Sequence, residues 1–405
     1  MADPKTPSSG KFVAMMAMLF ATTALAIDAM LPALPAIGAE LSPGDPNKAQ
    51  LVVALFFAGL GCGTLIAGPV SDAIGRKATL AICAAIYLLG AVLCVVAPSL
   101  EVLLVARFVQ GIGASGPRAV GMAVIRDLFK GRDMARVVSL VMMIFAVVPA
   151  MAPLLGQAIM LVGSWRLIFV AFIVFGVSVQ GWIMLALPET LKPEHQRKLH
   201  LSLLRDAAKE MLSHRIALIS TLCQTLTLAC LVATLSSQQG IFEQRFERAD
   251  SFPIWFAVIA LCSILGSFTN SRTVVRYGMR AVIVATYAGQ ISLTLAYLLL
   301  AASGLLPEAL VFSAHILWSI GIFAMMGLSM GNLNALAMED LGHIAGFATS
   351  MITAVATVAS VLIAVPVGLA FDGTQLPLLT GVAVFSGLAL WLMRLVRKPG
   401  VTGGK

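Results

Sequence analysis

Long apolar runs constrain the fold of this chain more than any other feature of its sequence. A helix needs about 20 apolar residues to cross the hydrocarbon core of a bilayer, and the sequence contains twelve runs of that kind. None of them alternates polar and apolar residues as a half-buried strand does, so helices are the spanning element we expect. We predict an all-α membrane protein whose spans occupy residues 12–35, 49–69, 79–98, 101–123, 137–161, 166–187, 215–238, 252–271, 280–302, 308–331, 344–370 and 375–395.

The composition agrees with lipid as the main solvent. Of the 405 residues, 59% are hydrophobic and 11% are charged, whereas a soluble domain has about half and about a quarter. The net charge of +8 does not indicate nucleic-acid binding, because the basic residues fall in short loops between apolar runs. The first run follows Lys5 and Lys11 as a signal peptide would, but it continues to Ile37. We therefore interpret it as a spanning helix.

The distribution of Lys and Arg predicts the orientation, since cytoplasmic loops carry an excess of both. With a cytoplasmic N-terminus, the cytoplasmic segments hold 21 of the 27 basic residues and the opposite loops hold 4. The other two, Arg107 and Arg118, lie inside the fourth run. This split predicts twelve crossings with both termini in the cytoplasm.

The longest polar segment divides the runs into two groups of six. Apolar residues recur in it at helical spacing, which predicts an amphipathic helix on the membrane surface; they are Leu201, Leu204, Ala208 and Met211. Two similar halves with a binding site between them are a transporter design. We predict an N-terminal six-helix bundle at 1–187, a cytoplasmic linker at 188–214 and a C-terminal six-helix bundle at 215–405.

Asp28, in the stretch "AIDAMLPALPAI", is the only acidic residue well inside a predicted span. An ionised carboxylate in lipid is costly, so we expect it to face a cavity or a cationic partner. Helix rise places Asp28 about 25 Å from Lys11 and places Arg107 about 9 Å from Glu101. Both therefore lie in the outer half of a core about 30 Å thick, at similar depth.

We hypothesise that Asp28 carries the proton of a transport cycle, with Arg107 beside it and with Pro32 and Pro35 loosening the helix beyond it. Burial and a nearby guanidinium have opposite effects on the ionisation of a carboxyl group, so its protonation can change as a cavity opens and closes. A cationic or polar substrate would compete for the same charge. The alternative is a permanent ion pair between Asp28 and Arg107 that never titrates.

Several other residues need an interpretation. Arg118 follows Arg107 by 11 residues, about three turns, so both point to one face of the helix; it lines the cavity or reaches the cytoplasmic surface. Gln110 is a candidate polar neighbour of the Asp28 site. We interpret His315, inside the tenth run, as a packing histidine with satisfied nitrogens, and a proton relay is the alternative. The six cysteines lack C-x-x-C spacing and partner histidines, so we expect no metal site, disulfide or cofactor.

Five segments resemble the signatures of a known family. They are "DAMLPALPAI", "GPVSDAIGRKATL", "RFVQGIGASG", "VVPAMAPLLGQ" and "NLNALAMEDLGHIAG", in this order along the chain. They resemble the major facilitator superfamily, and within it the Bcr/CflA group of drug:proton antiporters. The resemblance implies twelve helices in two pseudo-symmetric bundles that rock around a central cavity. Two segments depart from the pattern: Ala152 precedes Pro153 and Gln157 follows Gly156, and "SSQQGIFEQRF" has two glutamines after the seventh span.

These interpretations assign residues to three roles. Asp28 and Arg107 are the predicted proton-coupling pair. The predicted substrate-binding residues are Asp28, Phe57, Gln110 and Gln238. The predicted gating residues are Asp72, Gly75, Arg76, Pro149, Pro153 and Gly156. Asp72 is expected near Ile344 at the start of the eleventh span, where a helix dipole favours an anion, and the resemblance implies the same lock between the halves.

The sequence favours a proton-driven antiporter that exports small amphipathic compounds such as antibiotics. A proton-linked transporter of a cellular metabolite, such as an amino acid, a siderophore or a sugar, is the alternative. A membrane enzyme is disfavoured, because the sequence contains no nucleophile–base pair, metal-ligand cluster or phosphate-binding loop. We expect a monomer in the bacterial inner membrane whose partners are a small-molecule substrate, protons and the lipid bilayer, and no nucleic acid.

Overall fold

The architecture is a bundle of long α-helices, seen in a computed structural model of the chain. The structure describes residues 9–192, 194, 196, 208–304, 307–339, 341 and 345–396. Its long helices and one shorter one are α1 Ser9–Asp28, α2 Leu34–Leu41, α3 Leu51–Ile74, α4 Arg76–Val95, α5 Leu100–Leu128, α6 Gly131–Val162, α7 Arg166–Ala186, α8 Arg215–Gly240, α9 Phe252–Tyr277, α10 Met279–Ser303, α11 Glu308–Ala337, α12 Ala345–Leu369 and α13 Leu376–Leu395. We call α1–α7 the first half and α8–α13 the second half. The two ends of the bundle are named after Gly75 and Asn47.

Most of these helices have the length and apolarity of membrane spans. Eleven helical segments of the described chain meet both conditions, and the first of them joins α1 and α2. Helix α5 has 29 residues but is not among the eleven. It carries Arg107, Gln110 and Arg118 in its interior, and these residues lower its mean hydropathy. The chain is a multi-pass helical membrane protein, and α5 corresponds to the fourth run of the sequence.

The first span is interrupted where the sequence places its two prolines. Helix α1 ends at Asp28, a short 3-10 turn covers Leu31–Ala33, and α2 begins at Leu34. Pro32 lies four residues after Asp28 and has no N–H, so the Asp28 carbonyl loses its usual helical donor. The predicted loosening of this helix is confirmed, and the break starts at the carboxylate itself.

Glycines bring α3 and α5 into backbone contact within the first half. A side chain at Gly59 would overlap the Phe108 carbonyl, and one at Gly111 would overlap the Phe56 carbonyl. Small residues at helix crossings allow such approach in membranes. These glycines therefore have a structural role, because they let α3 and α5 approach until their backbones touch.

The two halves meet through α3 against α12 and through α6 against α9. A Cβ atom at Gly61 would lie 2.7 Å from a methyl group of Val358. In the described part of the chain, every side-chain hydrogen bond between the halves lies at the Asn47 end, including those from Asn47 to Phe371 (2.7 Å) and from Gln157 to Asp250 (3.0 Å). The halves are therefore joined by polar contacts at one end of the bundle.

The linker differs from its predicted form where the structure describes it. Leu201 and Leu204 of the predicted surface helix lie outside the described residues. Met211 is only 4% exposed and packs in a cluster with Ala337 and Met351 of the second half. This part of the linker is therefore buried against protein, which corrects the prediction that Met211 lies on the membrane surface.

Candidate functional site

Asp28 lies at the break in the first span, and its carboxylate has no partner. It is 7% exposed, and no described residue gives it an ion pair or a hydrogen bond. The neighbouring residue Ala29 touches α6, where any side chain at Gly156 would overlap the Ala29 carbonyl. The carboxylate thus sits between α1 and α2, where α6 packs directly against the turn.

Arg107 is completely buried and is held by neutral acceptors. Its guanidinium donates to the carbonyl oxygens of Val52 (3.2 Å) and Ala26 (3.0 Å) and to the side-chain oxygen of Gln110 (2.7 Å). The centre of the Phe56 ring lies 4.4 Å from its central carbon, a cation–π contact. Arg107 therefore ties α5 to α1 and α3.

The predicted contact between Asp28 and Arg107 is wrong in this conformation. Arg107 reaches α1 at Ala26, two residues before Asp28. Successive residues of a helix are turned by about 100°, so the side chain of Asp28 projects from roughly the opposite side of α1. The structure agrees with the predicted depth of Asp28 and Arg107, but the side chain of Asp28 does not project toward Arg107 as predicted.

The remaining predicted substrate residues occupy different places. Gln110 accepts from Arg107 and so is bound to the arginine instead of standing beside Asp28. Phe57 belongs to the apolar core and is 7% exposed. Gln238 is buried in α8 and donates to the hydroxyl oxygen of Ser319 at 3.1 Å. The structure does not bring these residues together around Asp28, and their contact with a substrate stays a prediction.

Arg118 is the exposed charge of the α5 interior. From residue 106 to residue 125 it is the sole exposed residue of that helix, and its neighbours Gly116, Pro117, Val120 and Gly121 are buried. No described residue forms an ion pair or a hydrogen bond with its guanidinium. Arg118 therefore faces open space at a depth where the rest of the helix is packed.

The predicted gating residues of the Gly75 end form a network within the first half. Arg76 donates to Asp127 of α5 (2.9 Å), to Ser71 (2.8 Å) and to Asp72. Gly75 has φ = +101°, a conformation that favours glycine. Asp72 was expected near Ile344 of the second half, but its partner is Arg76, and Ile344 lies outside the described residues. The observed pairing joins α3, α4 and α5 instead of the two halves.

Glu189, just beyond α7, completes this network. Its carboxylate accepts from the backbone N–H groups of Arg76 (2.9 Å), Lys77 (3.0 Å), Thr190 (2.9 Å) and Leu191 (3.0 Å). Partial burial opposes ionisation, but the backbone donors outweigh it and hold the pKa of Glu189 below its usual range. The sequence analysis missed this residue, because its partners at the start of α4 are distant in the chain.

The comparisons with known proteins agree with this arrangement. The family model described as Major Facilitator Superfamily matches residues 15–364. The chain belongs to the Major Facilitator Superfamily.

Relatives within the superfamily include one named as a transporter and others named as multidrug resistance proteins. The chain is 30% identical over 349 residues to an uncharacterized MFS-type transporter, YdgK of Bacillus subtilis, covering 84% of this chain and 83% of that protein. It is 31% identical over 248 residues to the multidrug resistance protein MdtL of Klebsiella pneumoniae, covering 60% and 62%. This second match therefore spans less than two thirds of each protein.

A solved structure supports the same fold for this superfamily member. The nucleoside transporter NupG superposes with a TM-score of 0.74 at 14% identity, covering 95% of this chain and all of that chain. Likeness at this identity concerns the arrangement of helices alone. The fold of this chain is that of a major facilitator transporter.

Helix α8 is a polar element of this superfamily member that sequence analysis undervalued. Beyond Leu222 its residues are almost all buried, and the buried polar residues of the helix are Ser220, Thr221, Gln224, Thr225, Thr227, Thr234, Ser236, Ser237, Gln238 and Gln239. Side-chain atoms of Gln224, Gln238 and Gln239 lack partners in the described part of the chain. The density of hydroxyl and amide residues in "LISTLCQTLTLACLVATLSSQQ" was the signal that pointed to a central helix.

His315 on α11 lies behind this helix among aromatic rings. It is fully buried, with the rings of Phe246 and Trp318 centred 5.2 Å and 5.6 Å from its own. Neither ring nitrogen has a partner in the described part of the chain. The aromatic surroundings suit a packing residue of this transporter, but the two unpartnered nitrogens differ from the satisfied histidine that the sequence analysis expects, so the role of His315 stays a prediction.

Helix α6 carries the other predicted gating residues of this transporter. Pro149 and Pro153 lie inside one continuous helix, Gly131–Val162. Gly156 is buried and lies directly against Ala29. Of the three, Gly156 contacts the break beside Asp28, and its gating role stays a prediction.

Proposed function

We propose that this major facilitator superfamily member is a proton-driven antiporter that exports small amphipathic compounds, antibiotics among them, by alternating access. The observation that carries the proposal is the unpartnered carboxylate of Asp28 at the break of the first span. An ionised carboxylate at that depth is costly unless a proton or a cation neutralises it. Asp28 therefore has a chemical reason to bind either one.

The proposed cycle exchanges these two neutralising partners. A cationic or polar compound that enters from the cytoplasm takes the place of the proton on Asp28. After the halves have moved, a proton from the other side displaces the compound. The hydrogen bonds of Asn47 and Gln157 close the bundle at the Asn47 end, so a state open toward the Gly75 end fits the loading step.

Orientation and substrate class are part of the proposal. We take the Gly75 end as cytoplasmic, with both termini on that side of the bacterial inner membrane, because the basic loops collect there. The relatives named multidrug resistance protein MdtL support drug-like cargo. We take the functional unit to be a monomer.

A second candidate function is proton-linked transport of a cellular metabolite. The observation that favours it is α8, whose buried amides Gln224, Gln238 and Gln239 hold unpartnered polar atoms. Polar groups of that kind suit a hydrophilic cargo better than an amphipathic one. The two candidates share the role of Asp28 and differ in what the cavity binds.

Transport by purified protein in liposomes tests the proposal. An imposed pH gradient should drive uphill movement of cationic amphipathic dyes and antibiotics, and amino acids and sugars should not move. Asp28→Asn should reduce uphill transport to the rate of protein-free liposomes, because a neutral amide can bind neither a proton nor a cation. Its thermal midpoint in detergent should be no lower than that of the wild type, which shows that the variant is folded.

Asp45→Asn is the matched control. Asp45 is an exposed acid near the Asn47 end whose partner is Lys48, and its loss should leave uphill transport unchanged. Uphill transport at the wild-type rate by Asp28→Asn would refute the proposed coupling. Metabolite transport with no movement of drugs would favour the second candidate.

A further inference from the structure

Arg118 is an unused charge in the interior of the first half. It is exposed, it has no described partner, and the positions next to it on α5 are buried. Nothing in the proposed proton cycle requires it. A guanidinium that no protein group neutralises, at this depth, is available to an anionic ligand.

The direction of the side chain follows from contacts one turn away. The Thr23 hydroxyl of α1 donates to the Ala114 carbonyl of α5 at 2.9 Å, and a Cβ atom at Gly63 of α3 would lie 2.6 Å from the Ser115 hydroxyl oxygen. Arg118 is four residues after Ala114 and three after Ser115, so it shares their helix face. It therefore points into the gap between α1 and α3.

That gap faces the space between the halves instead of lipid. Helix α3 touches α12 of the second half at Gly61 and at Gly68, where a Cβ atom would lie 3.5 Å from the Ser350 hydroxyl oxygen. Arg107 fills the same gap near the Asn47 end, between the Ala26 and Val52 carbonyls. Arg118 occupies the part of the gap that Arg107 leaves open toward the Gly75 end.

Asp28 and Arg118 lie on either side of the level of Thr23. Ala114 is hydrogen-bonded to Thr23; Arg118 is four residues beyond Ala114 toward the Gly75 end, and Asp28 is five residues beyond Thr23 toward the Asn47 end, so their backbones are about 14 Å apart along the helix axis. Helices α1 and α5 run in opposite directions, and helical side chains lean toward the N-terminus of their own helix. Arg118 on α5 therefore leans toward the depth of Asp28.

We propose that Arg118 binds an anionic group of the substrate, and that the protein prefers zwitterionic compounds whose cationic group is taken by Asp28. This assignment rests on the proposed function, because it uses Asp28 as the site of the cation. A compound whose carboxylate lies several ångströms from an amine or iminium group can place its anion on Arg118 and its cation on Asp28. Apart from Asp28, no acidic residue lies in the interior of the described spans to satisfy Arg118.

A pair of dyes that differ only at one carboxyl group tests this preference. Rhodamine B carries a carboxylate and a xanthylium cation, and rhodamine B ethyl ester keeps the cation alone. In liposomes with an imposed pH gradient, Arg118→Gln should raise the KM for rhodamine B at least about tenfold. The KM for the ester should stay within about twofold. Arg118→Lys should recover part of the loss, because it restores the charge without the guanidinium fork.

Arg126→Gln supplies the matched control. Arg126 is exposed near the end of the same helix, and its substitution removes one positive charge without touching the gap. It should change neither dye. Equal losses of both dyes in Arg118→Gln, or no loss of either, would overturn the assignment.

Binding of the two dyes to detergent-solubilised protein separates the two proposals. Fluorescence polarisation should show tighter binding of rhodamine B than of its ester, and Arg118→Gln should abolish that difference. If this result holds while no dye moves in liposomes, the proposed antiport is wrong and the anion site stands. If wild-type protein binds both dyes alike, the anion site is wrong whatever the transport result.

Discussion

At the scale of single residues, Arg107 and Arg118 give opposite expectations for the same substitution. Arg107→Lys should lower the free energy of unfolding, because lysine cannot reach the Ala26 and Val52 carbonyls together and each buried acceptor left unpaired costs about 1–3 kcal/mol. Arg118→Lys removes no described hydrogen bond and should leave stability unchanged. Thermal unfolding in detergent measures both, and equal midpoints for the two variants would contradict the role of Arg107 as a tie between helices.

The sequence predicts the depth of Asp28 and Arg107 along their helices, but it does not predict the direction in which each side chain projects. Helix rise alone gives Asp28 and Arg107 a similar depth, and the structure brings Arg107 to Ala26, two residues from Asp28. The orientation of each side chain depends on how α1 packs on α5 and α6, which no single helix encodes. Glu189 could not be found for a related reason, since two of its donors are backbone N–H groups of α4 and leave no pattern of side chains.

At the scale of helices, the contact between α6 and the break of the first span is too close to accept an added methyl group. Gly156→Ala should be destabilising, because the added Cβ would overlap the Ala29 carbonyl and overpacking typically costs about 1–3 kcal/mol. Gly181→Ala in α7 is the control, since nothing lies within 4 Å of its Cβ position. That variant should gain up to about 1 kcal/mol from helix propensity.

Thermal midpoints and uphill transport rates of the two alanine variants test this expectation. If Gly156→Ala matched Gly181→Ala in both readouts, α6 would not pack tightly against the break of the first span, and the predicted gating role of Gly156 would be wrong. The presence of this break was foreseeable from Pro32 and Pro35. The helix that packs against it was not, because Gly156 gives no local sign of which backbone it meets.

At the scale of the whole molecule, the hydrogen bonds at the Asn47 end predict how removing one of them shifts the balance between states. Asn47→Ala removes the bond to the Phe371 carbonyl and should open this end more often, about fivefold for about 1 kcal/mol. The opening of this end can be measured with Ser237→Cys in a background without the native cysteines, because Ser237 is buried beside Gln50 of the other half. Labelling by a membrane-impermeant maleimide should accelerate.

Asn270→Ala is the control for that experiment, because Asn270 accepts from Asn332 within the second half alone. It should leave the labelling rate of Ser237→Cys unchanged. An unchanged rate in Asn47→Ala would mean that apolar contacts, and not these bonds, hold the end closed. The sequence predicts the helices of both halves, but it does not predict which end of the bundle is closed. A chain that alternates between two states is compatible with closure at either end.

Asp28, the sole acidic residue in the interior of the described spans, also determines how such a carrier would respond to membrane voltage. Under the proposed exchange, Asp28 returns one proton for each molecule released. A singly cationic cargo then moves no net charge, and only the pH difference performs work on it. A zwitterion held by Asp28 and Arg118 moves one net charge per cycle, worth about 2.3 kcal/mol for each 100 mV. Cargo charge would thus decide whether the electrical half of the proton-motive force contributes to export.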